Sequence, residues 1–146
     1  MGLLPRVGVL SCALFFLAAT GCVPQIAYSP NEGLLEKDGV DAGGLRLEET
    51  LSRAIAPQIA SAEATAETLR YQWSQTHMGA FYQVVTTQNA AQIFFKNIAR
   101  VEIYANHKVF VWENNNRHYE IQFAGPEDAK EFADLVMSFR RNAMQE

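Results

Sequence analysis

The side chains best suited to chemistry in this sequence are three histidines and a cluster of carboxylates. His77, His107 and His118 show neither the His-x-His nor the His-Glu-x-x-His spacing that brings two imidazoles to one metal ion. Their sequence context predicts solvated histidines in turns or at a strand start. We therefore predict no metal-binding residue.

Four carboxylates fall within one predicted C-terminal helix: Glu127, Asp128, Glu131 and Asp134. Glu127 and Glu131 share one face of a helix. Lys130 and Asp134 are spaced for an ion pair between positions i and i+4. This pattern predicts a solvated, charged helix face rather than a catalytic acid pair. The sequence also has no Gly-x-Ser-x-Gly elbow and no glycine-rich phosphate loop, so we expect no catalytic residue, no cofactor and no enzymatic activity.

Cysteine occurs at two positions near the start of the chain, Cys12 and Cys22. Because no cysteine follows between Val23 and Glu146, that part of the chain can form neither a disulfide framework nor a thiolate metal site. Cys22 is then a core residue, a chance cysteine or a modified one.

The first 21 residues have the layout of a secretory signal peptide. Residues 1–6 include one charged side chain, Arg6, and an uncharged apolar run follows from Val7 to Ala19. That run is too short to span a membrane, which takes about 20 apolar residues. Two interpretations remain, an ordinary signal peptide or a lipoprotein signal ending at Cys22.

The residues "ATGC", Ala19 to Cys22, resemble the lipobox of bacterial lipoproteins. The resemblance implies that residues 1–21 are a lipoprotein signal peptide, removed together with Cys12, and that Cys22 is acylated with palmitate or related chains. Ala19 is a departure, since the family usually has leucine there. Val23, where some members have aspartate, implies the outer membrane of a Gram-negative cell, facing the periplasm. The membrane is then a partner through the acyl chains on Cys22.

The charge balance excludes one large class of partners. The formal net charge is -4, from 12 Lys+Arg and 16 Asp+Glu. Nucleic-acid binding needs a basic surface that displaces the counterions of the phosphates. We therefore expect no nucleic-acid partner.

The predicted mature chain has three parts. Residues 22–44 mix Pro, Gly, Asn and Asp with little periodicity, which predicts an acylated cysteine followed by a flexible tether. Residues 45–67 predict a helix, because apolar side chains recur every four positions over 47–59, with an interruption at Pro57. Residues 68–146 predict a sheet followed by a helix.

Alternating apolar and polar residues predict the strands of that sheet, and two Asn-rich segments, "NHK" at 106–108 and "NNNR" at 114–117, predict hairpin turns. A helix start is predicted at Pro126, with an apolar stripe from Ala129 to Phe139. The predicted strands cover residues 69–74, 81–87, 92–95, 99–105, 109–113 and 118–123.

The second half of the chain is similar to a pleckstrin-homology-like (PH/GRAM) domain in its hydrophobic spacing. The matching positions are Ile98, Val101, Tyr119, Ile121, Phe123, Glu127, Asp128, Ala129 and Phe132. The resemblance implies an α+β fold: an antiparallel curled sheet or PH-like partial barrel with a C-terminal capping helix and a preceding N-terminal helix. Phosphoinositide binding is not implied, because the first hairpin loop, residues 74–80, has no Lys or Arg.

The strands "FYQVV" and "VFVW" are apolar on both faces, which predicts a second buried surface in addition to the core. The residues expected on that surface are Tyr82, Val84, Phe110 and Trp112. The N-terminal helix, another protein or a second copy in a homodimer would cover it.

These observations predict a lipid-anchored bacterial envelope protein whose non-catalytic domain mediates protein–protein interaction in an envelope complex. The alternative is a periplasmic carrier that holds a small ligand or lipid inside the curled sheet.

Overall fold

The structure, a computed structural model, describes residues 22–146 as seven strands and two main helices. The predicted signal peptide, residues 1–21, lies outside the described residues. In chain order the elements are β1 (Gln25–Ile26), α1 (Leu34–Ser52), β2 (Ile59–Ala64), β3 (Thr68–Met78), β4 (Val84–Phe94), a 3₁₀ turn (Phe95–Asn97), β5 (Ile98–Tyr104), β6 (Lys108–Glu113), β7 (His118–Gln122) and α2 (Pro126–Gln145).

The strands form two antiparallel sheets. One has four strands in the order β1-β5-β6-β7, and the other has three in the order β2-β3-β4. The predicted α+β class is confirmed, with curled antiparallel sheets, a preceding N-terminal helix and a C-terminal helix. The sheets of the described part of the chain do not close into a barrel. The likeness to a PH domain stays a prediction.

Helix α2 covers the core face of the four-stranded sheet, as its apolar stripe predicts. It begins with Pro126, at a position where a backbone N–H would have no acceptor within the helix, so proline is tolerated there. Phe132 and Phe139 are fully buried, and their rings pack against Phe123 at 5.3 Å and Phe95 at 4.7 Å between centroids. These aromatic contacts join the helix to the sheet.

The predicted helix over 45–67 is wrong at both ends. Helix α1 covers Leu34–Ser52, with a break at Gly39, whose φ is 80°. Residues 59–64 are instead strand β2, because their backbone groups pair with β3 and this pairing overrides the four-residue apolar spacing. The apolar residues at this spacing are buried in the helix as far as Leu51, but Ile55 is exposed in the loop that contains Pro57.

The predicted tether over 22–44 is also wrong. Gln25 and Ile26 pair with β5, and α1 begins at Leu34. Between them, Tyr28 donates a hydrogen bond to Asp134 of α2 at 2.7 Å. Composition alone suggested mobility, but contacts with distant residues fix this segment on the domain.

The strands β3 and β4 form one long hairpin rather than the short predicted strands. Their register is continuous through eleven pairs, from Thr68 opposite Phe94 to Met78 opposite Val84. The predicted strands 81–87 and 92–95 are therefore parts of one strand. The predicted loop over 74–80 is mostly the end of β3, since pairing with β4 extends the strand through polar residues.

Candidate functional site

The outward face of the four-stranded sheet exposes a group of aromatic rings. Residues along β6 alternate, so Val109 and Val111 are buried while Phe110 and Trp112 point to the other side. The same alternation in β5 and β7 places further side chains beside them. We call this group the aromatic face, and its members are Arg100, Tyr104, Phe110, Trp112 and His118.

The rings of the aromatic face contact one another across the strands. Phe110 lies 4.9 Å from Tyr104 and 5.6 Å from His118, and Trp112 lies 4.4 Å from His118, all between ring centroids. The Arg100 guanidinium lies 4.6 Å from the centroid of the Trp112 ring. These contacts restrict the orientations of the rings.

A partly exposed hydrogen-bond network around Glu102 holds Trp112 in the face. The Trp112 indole N–H donates to Glu102 at 2.9 Å, and Arg100 donates to the same carboxylate at 2.8 Å. Burial raises the pKa of Glu102, but the hydrogen bonds from Arg100 and Trp112 outweigh it, so that its pKa lies below its usual range. Glu102 is therefore an ionised residue that orients Trp112.

Charged residues border the aromatic face on its β7 side. Glu120 lies 3.9 Å from Lys108 and 3.5 Å from His118. An aromatic and arginine centre with a polar, paired rim is the composition typical of protein–protein interfaces.

A second apolar surface lies at the end of the β3–β4 hairpin. We call residues 78–84 the hairpin tip. Its large apolar side chains are highly exposed: Met78 at 64%, Phe81 at 88%, Tyr82 at 86% and Val84 at 72%. Such a cluster on a protruding hairpin is unusual for a surface that contacts only water.

The four residues predicted as one interaction surface thus belong to two surfaces. Tyr82 and Val84 lie in the hairpin tip, whereas Phe110 and Trp112 lie on the aromatic face of the other sheet. The sequence analysis missed the other members of both groups. The alternation of β5 and β7 could have identified Tyr104 and His118, since His118 lies opposite Trp112 across the "NNNR" turn.

Cys22, the predicted acylation site, is exposed at the start of the described residues. It lies two residues before Pro24, whose carbonyl accepts a hydrogen bond from the Ala105 amide at 2.9 Å. Within residues 22–146, no helix has both the length and the apolar character needed to cross a membrane.

Glu127 is exposed, as its spacing predicts, but the other three carboxylates of α2 make contacts within the fold. Asp128 and Glu131 contact Arg53, the residue that follows α1, at 3.0 and 3.3 Å. Asp134 is buried, with 5% of its surface exposed, and forms the predicted ion pair with Lys130 at 2.7 Å. These groups therefore connect elements of the fold.

Asp134 joins the N-terminal segment to α2. One carboxylate oxygen accepts hydrogen bonds from the Tyr28 hydroxyl at 2.7 Å and the Asn31 amide at 3.0 Å. Burial raises the pKa of Asp134, but hydrogen bonds from Lys130, Asn31 and Tyr28 outweigh it and hold its pKa below the usual range. Ser138 adds a bond to the Asn31 carbonyl at 2.9 Å.

The histidines are separate in the fold. His77 is exposed in β3, His107 is half-buried in the turn between β5 and β6, and His118 belongs to the aromatic face. Among the described residues, no group of three His, Cys, Asp or Glu side chains is arranged to hold a metal ion.

Two shallow cavities lie on the surface away from the aromatic face. One of about 390 Å³ is bordered by Phe94, Lys96 and the end of α2. The other, of about 210 Å³, is lined mainly by the N-terminal segment around Ile26 and Tyr28. Ser29, His107 and Lys130 also line the second cavity.

The chain was compared with protein-family models, curated proteins and solved structures, and none of the three comparisons found a match.

Proposed function

We propose that this protein is a lipid-anchored subunit of the bacterial envelope whose domain binds another protein through the aromatic face. The acyl chains on Cys22 hold the chain at a membrane, and the aromatic face receives the partner. The domain performs no chemistry of its own.

The observation that supports protein binding is the arrangement of the aromatic face. Trp112, Tyr104 and Arg100 are the residue types most enriched among those that dominate binding energy at interfaces. These side chains already have neighbours within the domain, so association would cost little side-chain entropy. The charged pairs at the rim favour a folded protein over a lipid surface, because insertion into a bilayer would remove those charges from water.

The observation that supports acylation is the "ATGC" sequence together with the position of Cys22. An exposed cysteine at the start of the folded part is accessible to modifying enzymes. Two or three acyl chains make membrane attachment durable, at about 0.8 kcal/mol for each buried CH₂ group.

The carrier alternative has less support. The space beneath the four-stranded sheet is filled by side chains of α2, including Phe132, Val136 and Phe139, all of which are fully buried. A ligand inside the sheet would have to displace that helix.

Cross-linking in cells tests the protein-binding proposal. A photoreactive phenylalanine at position 110 should give a reproducible cross-link to one envelope protein. The matched control is the same probe at Glu127, which is exposed on α2. Equal products from both positions, or cross-links from position 110 to a second copy alone, would refute a heterologous partner at this face.

Acylation has a separate test. The intact mass of the purified protein should correspond to a chain that begins at Cys22 and bears two or three acyl groups. In cells, Cys22→Ala should abolish palmitate labelling, and unchanged labelling would contradict the proposed modification.

A further inference from the structure

The β3–β4 hairpin has an unusual composition for an exposed element. Between Arg70 and Lys96 the chain contains no Asp, Glu, Lys or Arg. Natural sheets usually protect exposed edges with charges, prolines or bulges, but the paired register of this hairpin continues without a shift to Met78 and Val84. The hairpin therefore presents a surface with no fixed charge that ends in apolar side chains.

Three backbone amides of the hairpin tip have acceptors within the tip. The Gly79 amide donates to the Gln83 carbonyl at 2.8 Å, and the Tyr82 amide donates to the Gly79 carbonyl at 3.1 Å. The Phe81 amide donates to the Gln83 side-chain oxygen at 2.9 Å. Polar backbone groups must have internal partners wherever water is scarce, as it is in a lipid bilayer.

Tyr82 adopts a conformation that its residue type disfavours. Its φ is 59°, in the left-handed region, where a bulky side chain is an outlier and glycine is preferred. Because the ring is 86% exposed, no packing within the domain compensates for this cost. A strained aromatic residue at an exposed tip is a feature that points to function.

Cys22 leaves the domain at a defined end of the four-stranded sheet. Pro24, two residues later, is hydrogen-bonded to Ala105 in the turn between β5 and β6. The side-chain amide of Gln122, the last residue of β7, donates to the Asn106 carbonyl of the same turn at 3.0 Å. Cys22 therefore lies beside this turn and the end of β7.

The hairpin leaves the body of the molecule at the same end. Gln122 exchanges backbone hydrogen bonds with the loop at residues 55–56, at 2.8 Å each. That loop and residues 73–76 of β3 line one cavity of about 340 Å³. From Trp73 the strand continues five residues to Met78, a reach of about 17 Å at about 3.3 Å per residue.

We propose that the hairpin tip is a second membrane contact, inserted into the interfacial region of the bilayer that holds the acylated Cys22. This inference rests on the proposed acylation. Tyr82 suits the interface, where aromatic rings with a polar edge are enriched, and Phe81 adds an exposed apolar ring. Beyond Trp73 both outer edges of the hairpin lack strand partners. The backbone groups on these edges need water as a partner, so only the tip can insert.

Two contacts orient the domain, whereas acyl chains alone would leave it able to rotate. The aromatic face then has a fixed direction relative to the membrane. Since the tip has no formal charge, its contact with lipid should be insensitive to salt and should not require anionic lipids.

Site-specific fluorescence in vesicles tests the contact. The acylated full-length mature protein is reconstituted in phosphatidylcholine vesicles with a polarity-sensitive label on Ala80→Cys, which leaves Phe81 and Tyr82 intact. The control label is on Asn115→Cys, in the exposed turn at the opposite end of the sheet. The label at position 80 should shift to the blue and be quenched by lipid-borne quenchers, whereas the label at 115 should be quenched by aqueous iodide.

A second variant separates the tip from general proximity to the bilayer. Phe81→Ser with Tyr82→Ser, in the Ala80→Cys protein, should restore iodide quenching at position 80. The matched control Met144→Ser removes an exposed apolar side chain of α2 and should change nothing.

Each outcome has a defined meaning. Iodide access at position 80 in a protein whose mass shows acylation would overturn the tip contact and leave the proposed function intact. If the label at position 80 is protected from iodide in native membranes but not in pure vesicles, the tip contacts a membrane protein instead of lipid. If this protection increases with the density of the protein in the vesicles, the tip contacts a second copy. If the mass shows no acylation, the proposed function fails. The labels are then read in excess vesicles after any unmodified cysteine other than the labelled one has been replaced by serine; lipid quenching at position 80 supports the tip contact and iodide access refutes it.

Discussion

The inner and outer halves of the β3–β4 hairpin have the same backbone pairing and opposite surroundings. In the inner half, Leu69, Tyr71 and Ile93 are buried against the rest of the core. In the outer half, residues 74–78 are exposed on both faces. Strand pairing is therefore not what decides burial in this molecule; the presence of a helix or a second sheet beside the strand decides it.

The two halves of the hairpin therefore contribute differently to the protein. The inner half contributes to stability, since fully burying a large apolar side chain contributes about 1.5–3 kcal/mol. The outer half gains little from folding, so its apolar tip is best explained by a contact outside the domain. Local stability should accordingly decrease along the hairpin toward the tip.

The largest effect is expected for Phe132→Ala on α2. The ring is fully buried and packs on Phe123, so its removal should lower the free energy of unfolding by about 3–5 kcal/mol. The matched change Phe81→Ala at the tip should alter it by about 0.5 kcal/mol or less. Urea unfolding followed by circular dichroism measures both, and similar losses in the two variants would contradict the proposed division of the hairpin.

An intermediate effect is expected for Asp134→Asn, which keeps an acceptor for Tyr28 but removes the charge paired with Lys130. Loss of a charge-assisted hydrogen bond in a buried site should cost about 1–3 kcal/mol at neutral pH. The control is Asp128→Asn on the same helix, whose ion pair with Arg53 is more exposed and should contribute about 1 kcal/mol or less.

The effect of Asp134 should also depend on pH in a defined direction. Its folded pKa lies below the ordinary value of 3.8, because hydrogen bonds from Lys130, Asn31 and Tyr28 outweigh the burial that opposes ionisation. The stabilisation is therefore complete above pH 3.8 and is lost as the pH falls through the folded pKa. Unfolding of the native protein and Asp134→Asn should converge below pH 3.8, and a constant difference down to that range would show that the charge is not responsible.

Local sequence patterns predicted the elements that local interactions determine. Helix α2 has its start residue, Pro126, and its apolar stripe in the sequence itself, and the hairpins of β5, β6 and β7 have Asn-rich turns. The predicted tether was wrong because Tyr28 and Asp134, which fix it, are 106 residues apart. No pattern within residues 22–44 could reveal that contact.

The candidate surfaces were predictable in part for the same reason. Phe110 and Trp112 stand out as apolar residues on the solvent face of a strand. Tyr82 was placed with them because the pattern does not show that it lies in a turn at the end of the other sheet. The absence of Asp, Glu, Lys and Arg between Arg70 and Lys96 is visible in the sequence and marks this segment as unusual for an exposed element.

The smallest expected effect concerns the backbone of the tip. Tyr82→Gly should relieve the left-handed conformation at residue 82 and stabilise the tip locally by about 1 kcal/mol. The Gly79 amide, which donates to the Gln83 carbonyl, should then exchange with solvent about fivefold more slowly. Amide hydrogen exchange measured by NMR detects this change even where global unfolding does not.

The control for this change is Asn116→Gly in the turn between β6 and β7. Residue 116 has a similar φ of 65°, but asparagine tolerates that region, so the gain there should be only a few tenths of a kcal/mol. Tyr82→Gly could slow amide exchange at Gly79 and at the same time weaken the contact of the tip with vesicles. That result would show that Tyr82 lowers local stability but contributes to the contact. If exchange at Gly79 is unchanged or faster, the tyrosine is not strained, and the conformation of residue 82 no longer supports a function for the tip.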